Sequence, residues 1–195
     1  MNKPEYIFIH CTDLSYKTHP DQFWAVDRYH HYGHPQAPFP KSSLGYYCGY
    51  HRLSSNGMEY KAREDSDIGA HCNQLTPEGV SYNVRSLAYC IAFDGDIEYP
   101  PQKDIDNAIR TIKEWQMKYG IPLKKVIYHR VATPWKTCPG SLIPDDYFSR
   151  MLLSPPVLSQ DPEQKEKKLE LSRLYSLLDE LRTLLEKLKR LLTFQ

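Results

Sequence analysis

The sequence lacks three features that would place it in other broad classes of protein. Its formal net charge is only +1 over 195 residues, so there is no basic field to drive nonspecific binding to nucleic acid. It contains no run of roughly 18 apolar residues, the length that a membrane-spanning helix needs. Residues 1–6 also lack the apolar core of a signal peptide. We therefore expect a protein that is synthesised in the cytoplasm without a signal peptide and has no nucleic-acid partner.

Paired cysteines are missing as well. The chain has five cysteines, none of them in a CxxC pair, and an odd number cannot close completely into disulfides. This usage is typical of a reducing compartment and leaves at least one thiol for other chemistry. What the chain does contain, 41% hydrophobic and 25% charged residues, is near the globular average. Its length predicts one ordinary domain with room for an appendage.

Hydrophobic patterns predict a domain of alternating strands and helices at residues 1–153. Strands are expected at residues 6–10, 46–53, 58–62, 87–93 and 125–129. Asn56-Gly57 supplies the positive φ angles of a tight turn, so the second and third strands are expected to form a hairpin. Helices are expected at residues 21–32, 103–119 and 145–152.

Two of the predicted strands end in histidine. His10 closes the first strand and His129 the last, and Cys138 follows nine residues after His129 in a proline-containing loop. Two imidazoles and one thiolate can bind zinc and leave a fourth position for water, as in catalytic zinc sites. The residues alone also allow a simpler interpretation, in which each histidine is a polar cap on its strand and the cysteine is a small buried hydrophobe.

Four ordered blocks of sequence resemble a known family. They are Phe8-Ile9-His10-Cys11-Thr12, Gly49-Tyr50-His51, Gly69-Ala70-His71, and His129 followed by Lys136-Thr137-Cys138-Pro139-Gly140. Through these blocks, residues 5–150 look similar to the zinc-dependent N-acetylmuramoyl-L-alanine amidases, the family of bacteriophage T7 lysozyme and the peptidoglycan recognition proteins. The resemblance implies an α/β fold in which helices flank a central mixed β-sheet, and Zn²⁺ bound by His10, His129 and Cys138. It also implies peptidoglycan as the substrate, cleaved at the amide between the lactyl group of N-acetylmuramic acid and L-alanine.

The resemblance implies roles for three further residues. Lys136 resembles the family's catalytic lysine, which would place a positive charge beside the oxyanion of the reaction. Tyr50 resembles the catalytic tyrosine, whose hydroxyl would hydrogen-bond the zinc water or the oxyanion. Tyr46 offers an alternative register, because Gly45-Tyr46 repeats the Gly-Tyr pattern, but the histidine that follows Tyr50 favours the later one. His71 corresponds to a histidine near the substrate groove and is expected to contact substrate. No acidic residue accompanies these motifs, so the sequence indicates no general base.

The C-terminal region has a different composition from the rest of the chain. A proline-rich linker is predicted at residues 154–164 and a leucine-heptad helix at residues 165–195. Leucines fill the a, d and neighbouring positions: Leu171, Leu174, Leu177, Leu178, Leu181, Leu184, Leu185, Leu188, Leu191 and Leu192. A stripe this wide predicts a homo-oligomer, with a trimer or tetramer favoured over a dimer. The helix has eight Lys or Arg against five Asp or Glu, so contact with an anionic membrane is the alternative, and packing on its own catalytic domain is the third.

These observations together predict a hydrolase that lyses or remodels the bacterial cell wall. We expect a phage endolysin, which accumulates in the cytoplasm and acts on the wall after release. The alternatives are a bacterial wall-remodelling enzyme, an exported toxin, a cytoplasmic muropeptide-recycling amidase, a non-catalytic peptidoglycan-binding module and a coiled-coil scaffold. The joint presence of Tyr50, Lys136 and Cys138 favours the hydrolase over the binding module.

Overall fold

A single mixed β-sheet forms the centre of the protein. The structure, a computed structural model, describes residues 1–153; the predicted linker and C-terminal helix lie outside the described residues. The sheet has five strands: β1 Tyr6–Cys11, β2 Arg52–Ser55, β3 Met58–Lys61, β4 Ser86–Ile91 and β5 Val126–Tyr128. Their order is β3-β2-β4-β1-β5, and only the β2–β3 pair is antiparallel. The predicted α/β fold with a mixed sheet is confirmed.

Helices of very different length flank this sheet. They are α1 Phe23–Arg28, α2 Tyr82–Arg85, α3 Gln102–Tyr119, α4 His129–Ala132 and α5 Tyr147–Leu153. A π-helical turn at Tyr29–Gly33 continues α1, and a 3₁₀ turn at Leu123–Lys125 precedes β5. Among residues 1–153, no helix has both the length and the apolar character required to cross a lipid bilayer.

The two faces of the sheet bury different side chains, because successive residues of a strand point to opposite faces. Ile7 and Ile9 of β1 belong to the core beneath α3. That core also includes residues of β4 and a stripe along α3: Leu87, Tyr89, Ile91, Ile105, Ala108, Ile112 and Trp115. Phe8 and His10 occupy the alternate positions of β1, and Phe8 packs in a separate cluster with Ala88. The opposite face is therefore the one that carries His10.

Helix α3 matches its prediction because its sequence marks both the buried face and the end. Ile105, Ala108, Ile112 and Trp115 recur at helical spacing and are all buried. Gly120 ends the helix with φ of 65°, the left-handed conformation that glycine adopts without steric cost. This long helix covers one face of the sheet, whereas α1 and loops cover the other.

The predicted strand at residues 46–53 is wrong over its first six residues. Strand β2 begins only at Arg52, and backbone donors of residues 47–49 have side-chain partners instead of a neighbouring strand. The Asp27 carboxylate accepts the N–H groups of Tyr47 and Cys48, at 2.6 and 2.8 Å, and His30 Nδ1 accepts that of Gly49 at 3.1 Å. The segment that carries Tyr50 is consequently an irregular loop on the His10 face.

Two glycines allow the loops after β4 and β5 to meet backbone to backbone. A Cβ atom on Gly95 would lie 1.9 Å from the carbonyl oxygen of Pro139, and one on Gly140 would lie 2.1 Å from the carbonyl carbon of Gly95. Asp96 strengthens the contact, because its carboxylate accepts the N–H of Ser141 at 2.6 Å. The loop that carries Cys138 is thereby fixed against the end of β4.

We predict that Gly95→Ala lowers the free energy of unfolding by at least about 3 kcal/mol, the upper end of the range for overpacked sites. The alanine methyl group would have no space between the two loops. At Gly79, φ is 77° and no other protein atom lies within 4 Å of the position that a Cβ would take. Gly79→Ala, the control, should cost only the backbone strain of about 1 kcal/mol. Urea unfolding of both variants measures the difference, and equal losses would contradict the account.

Candidate active site

Parallel strand pairing brings the two predicted histidines together. Ile9 of β1 is paired with Tyr128 of β5, so His10 and His129 are the next residues along two adjacent strands that run in the same direction. The sequence predicts His129 as the last residue of a strand, but in the structure it is the first residue of α4. The two imidazole centroids lie 4.6 Å apart, and both side chains are buried.

Cys138 reaches the same point from the loop that follows α4. The backbone N–H of Arg130 donates to the Cys138 carbonyl at 2.9 Å, which folds the loop back on the helix. The Cys138 Sγ lies 3.7 Å from His10 Nδ1 and accepts the backbone N–H of Cys11 at 3.4 Å. The potential ligand atoms of His10, His129 and Cys138 all lie within 4.8 Å of one another. The structure thus brings the three sequence-predicted ligands into one cluster.

The buried environment favours the thiolate form of this cysteine. A hydrogen bond with Cys11 lowers the pKa of Cys138 well below its usual range, against the opposing effect of burial. Burial alone would lower the pKa of His129, but hydrogen bonds with Cys138 and Cys72 outweigh it and raise that pKa to about 9. Burial lowers the pKa of His10 to about 4. The cluster therefore contains a thiolate beside one protonated and one neutral imidazole, and a metal ion would replace the proton on His129.

This donor set fits a transition-metal ion. Zinc bonds of about 2.0–2.1 Å to nitrogen and about 2.3 Å to sulfur place two tetrahedral ligands roughly 3.5 Å apart. The observed 3.7 Å between His10 Nδ1 and Cys138 Sγ is close to that spacing without rearrangement. Two imidazoles and a thiolate also match the softness that zinc prefers over magnesium or calcium.

His129 and Cys138 line a groove with a volume of about 670 Å³, which Tyr50 and Lys136 also line, and His10 lies buried beside them. The Tyr50 ring centroid is 4.9 Å from that of His10, and the Tyr50 hydroxyl is hydrogen-bonded with the Cys90 thiol. Burial raises the pKa of Tyr50 well above its usual value, so the hydroxyl keeps its proton. The Lys136 charge acts on His10, whose protonated form it disfavours.

Tyr46, the alternative to Tyr50, lies elsewhere. Its ring packs against Phe23 and Trp24, with centroid distances of 5.2 and 5.9 Å, at the edge of a hydrophobic cluster that does not include the candidate ligands. The structure therefore brings Tyr50, and not Tyr46, next to the three candidate ligands.

His71 is also brought to the cluster, in an unexpected arrangement. It is buried, and both of its ring nitrogens have protein partners: Nδ1 lies 3.1 Å from His10 Nε2, and Nε2 lies 2.9 Å from Ser86 Oγ. The predicted contact between His71 and substrate remains a prediction, because both ring nitrogens are engaged within the protein.

Several residues of the site were not anticipated. Asp13 lines the groove and accepts the Cys11 thiol at 2.8 Å, which makes it an acidic side chain close to the cluster. Cys72 hydrogen-bonds His129. For Cys11 and Cys72 the signal was available, because each adjoins a histidine of a recognised block. Asp13 follows β1 with φ of 56°, and nothing in the sequence marks that turn as part of the groove.

Comparison with known proteins identifies the family. A family model described as N-acetylmuramoyl-L-alanine amidase matches residues 1–141, and the chain belongs to this family. The reaction that defines the family is hydrolysis of the amide between N-acetylmuramic acid and L-alanine in peptidoglycan. No curated protein matches the sequence.

Solved structures show the same fold at low sequence identity. The N-acetylmuramoyl-L-alanine amidase LysC from Clostridium intestinale is 20% identical with a TM-score of 0.57, over 79% of this chain and 88% of that one. A mutant of the Drosophila protein PGRP-LB, in complex with tracheal cytotoxin, is 24% identical with a TM-score of 0.55, over 80% and 84%. A mutant endolysin from Bacillus subtilis is 22% identical with a TM-score of 0.52, over 77% and 86%.

We predict that the protein binds one Zn²⁺ ion and that Cys138→Ala abolishes tight binding, because the variant removes the thiolate of the cluster. Zinc should raise the melting temperature of the chelator-treated wild type, since a ligand that binds the native state stabilises it. Cys48→Ala is the matched control: it also removes a buried thiol, but one outside the cluster. Differential scanning calorimetry with and without zinc measures both effects. An equal shift in the two variants would contradict the assignment of Cys138 as a ligand.

Proposed function

We propose that the protein is a zinc-dependent amidase and acts as an endolysin, synthesised in the cytoplasm and active on the cell wall after release. The observation that carries the proposal is the His10–His129–Cys138 cluster at a groove that His129 and Cys138 line, within a chain of the amidase family. The endolysin role is supported by the fold shared with a Bacillus subtilis endolysin.

His10, His129 and Cys138 would hold the zinc ion. When bound, zinc supplies a water of lowered pKa and polarises the scissile carbonyl. His10, His129 and Cys138 are buried. Because the effective dielectric constant is lower away from bulk water, charge interactions at these side chains are stronger than in solution. Tyr50 and Lys136 line the same groove, so both can act on a carbonyl placed at the cluster.

Tyr50 and Lys136 would stabilise the oxyanion of the tetrahedral intermediate. Tyr50 keeps its proton and can donate a hydrogen bond to developing negative charge, while Lys136 supplies a positive charge. The Tyr50 ring already packs on His10, with 4.9 Å between the ring centroids. These two roles remain proposals from the family resemblance and from this geometry.

The rim of the groove suits a glycan strand. Tyr29 and Trp135 line it and are exposed, Trp135 to 72%. Amphipathic aromatic rings with one face free are suited to contact sugar rings that are apolar on one side and polar at the edge. This placement supports peptidoglycan, rather than an isolated peptide, as the substrate.

The direct test is product analysis after incubation of the zinc-loaded protein with purified peptidoglycan. We expect new amino termini on L-alanine and none after Cys138→Ser, because the serine cannot replace the thiolate ligand. Cys48→Ser serves as the control and should keep the activity. Wall binding without new termini would favour a non-catalytic binding module, and new reducing sugar ends would contradict the amidase proposal.

We predict that Tyr50→Phe lowers kcat by about 10²–10³-fold, the usual loss on removal of one oxyanion donor. Tyr46→Phe, the matched control, should leave kcat near the wild-type value because Tyr46 packs against a hydrophobic cluster and does not line the groove. Both variants should bind zinc like the wild type. Steady-state rates of amino-terminus release measure kcat, and a greater loss in Tyr46→Phe would show that the alternative register is the correct one.

A further inference from the structure

A line of four hydrogen-bonding groups runs from the metal-ligand cluster to a backbone carbonyl. His10 directs Nδ1 at Cys138 Sγ and Nε2 at His71 Nδ1, 3.1 Å away. His71 Nε2 lies 2.9 Å from Ser86 Oγ, and Ser86 Oγ donates to the carbonyl oxygen of Tyr82 at 2.6 Å. His10, His71 and Ser86 are all buried, with Ser86 and His10 fully inaccessible to solvent.

The carbonyl at the end of this line determines the position of every proton in it. A carbonyl oxygen can only accept, so the Ser86 hydroxyl proton points to Tyr82. Ser86 Oγ is then the acceptor for His71, whose Nε2 must carry a proton. A neutral His71 has one ring proton, so its Nδ1 is an acceptor and takes the Nε2–H of His10. A neutral His10 is left with its lone pair on Nδ1, the atom that faces the cluster.

The same direction follows from the metal end of the line. A histidine binds a metal ion through a ring lone pair, so a His10 that holds the ion through Nδ1 has its one ring proton on Nε2. His71 Nδ1, 3.1 Å from that nitrogen, must then accept. A doubly protonated His71 would direct an N–H at the N–H of His10, which no hydrogen bond could satisfy.

The backbone around His71 is held in place independently of the metal site. Asn83 Oδ1 accepts the N–H groups of His71 and Cys72, at 2.9 and 3.0 Å. Asn83 belongs to α2, which also contains Tyr82, and Ser86 is the first residue of β4. One short segment of chain therefore supplies the acceptor for the loop, the terminal carbonyl and the serine.

We propose that His71 and Ser86 are positioning residues that fix the tautomer and the ring orientation of His10, so that Nδ1 is directed at the metal ion. This inference rests on the proposed metal centre, and its first test needs zinc but no substrate. Partners of this kind raise the basicity of a metal-ligating histidine, and their loss typically weakens metal binding by about 10–100-fold. The role differs from the substrate contact expected for His71, since its two ring nitrogens are both used within the protein.

The first test observes the protons directly. Long-range ¹H–¹⁵N NMR spectra of the full-length, zinc-loaded protein, labelled with ¹⁵N-histidine and recorded at pH 7, distinguish protonated, unprotonated and metal-bound ring nitrogens. His71→Gln assigns the His71 signals by their loss. We expect both His10 and His71 to carry their proton on Nε2. A proton on Nδ1 of His71, or zinc bound through Nε2 of His10, would overturn the proposal.

The second test measures zinc affinity by competition with a chromophoric chelator. Ser86→Ala removes the acceptor of His71 and should weaken zinc binding by about 10-fold or more. Ser86→Thr keeps the hydroxyl and should restore most of the affinity. Ser55→Ala is the control, because the buried Ser55 likewise accepts from one group, the N–H of Gln22, and donates to a carbonyl, that of Pro20.

Wild-type affinity in Ser86→Ala would overturn the proposal, as would an equal loss in Ser55→Ala. Melting temperatures of the metal-free variants separate a general loss of stability from a specific effect on the ligand. If the wild type itself binds no zinc, the proposed metal centre fails and this inference fails with it, whereas zinc binding that is unaffected by Ser86→Ala contradicts this inference alone.

Discussion

The parallel pairing of β1 with β5 is the constraint on which the site depends. It places His10 and His129 beside each other near the carboxyl ends of two strands, where parallel sheets commonly bind their ligands. The sheet also keeps the site buried, because α3 packs on one face while α1 and loops cover the other. A one-residue shift in this pairing would send His10 to the α3 face and would separate the two imidazoles.

Cys138 depends on a second constraint, the contact between the loops that follow β4 and β5. The meeting of Gly95 and Gly140 has no room for a side chain, and Asp96 adds hydrogen bonds from the neighbouring loop. The backbone N–H of Cys11 then faces the sulfur, which favours a thiolate over a thiol. Backbone groups therefore contribute both to the position of Cys138 and to the stability of its thiolate form.

The sequence was most informative where chemistry and strand ends coincide. His10, His129 and Cys138 could be predicted because two apolar runs end in histidine and the motif blocks occur in order. The histidine after Tyr50 favours Tyr50 over Tyr46, and Tyr50 is the one that lies beside His10. Its segment is a loop and not the predicted strand, because the side chains of Asp27 and His30 that replace the strand hydrogen bonds are distant in sequence. Ser86 carries no motif, and its contact with His71 arises only from tertiary packing.

The proposed amidase depends on zinc bound jointly by His10, His129 and Cys138. X-ray absorption at the zinc edge of the zinc-loaded protein tests this coordination most directly. The account predicts one sulfur at about 2.3 Å and nitrogen ligands at about 2.0–2.1 Å, with a light atom in the remaining position. A shell of two sulfurs would mean that Cys11 or Cys72 also binds the ion, and a shell without sulfur would contradict the site altogether.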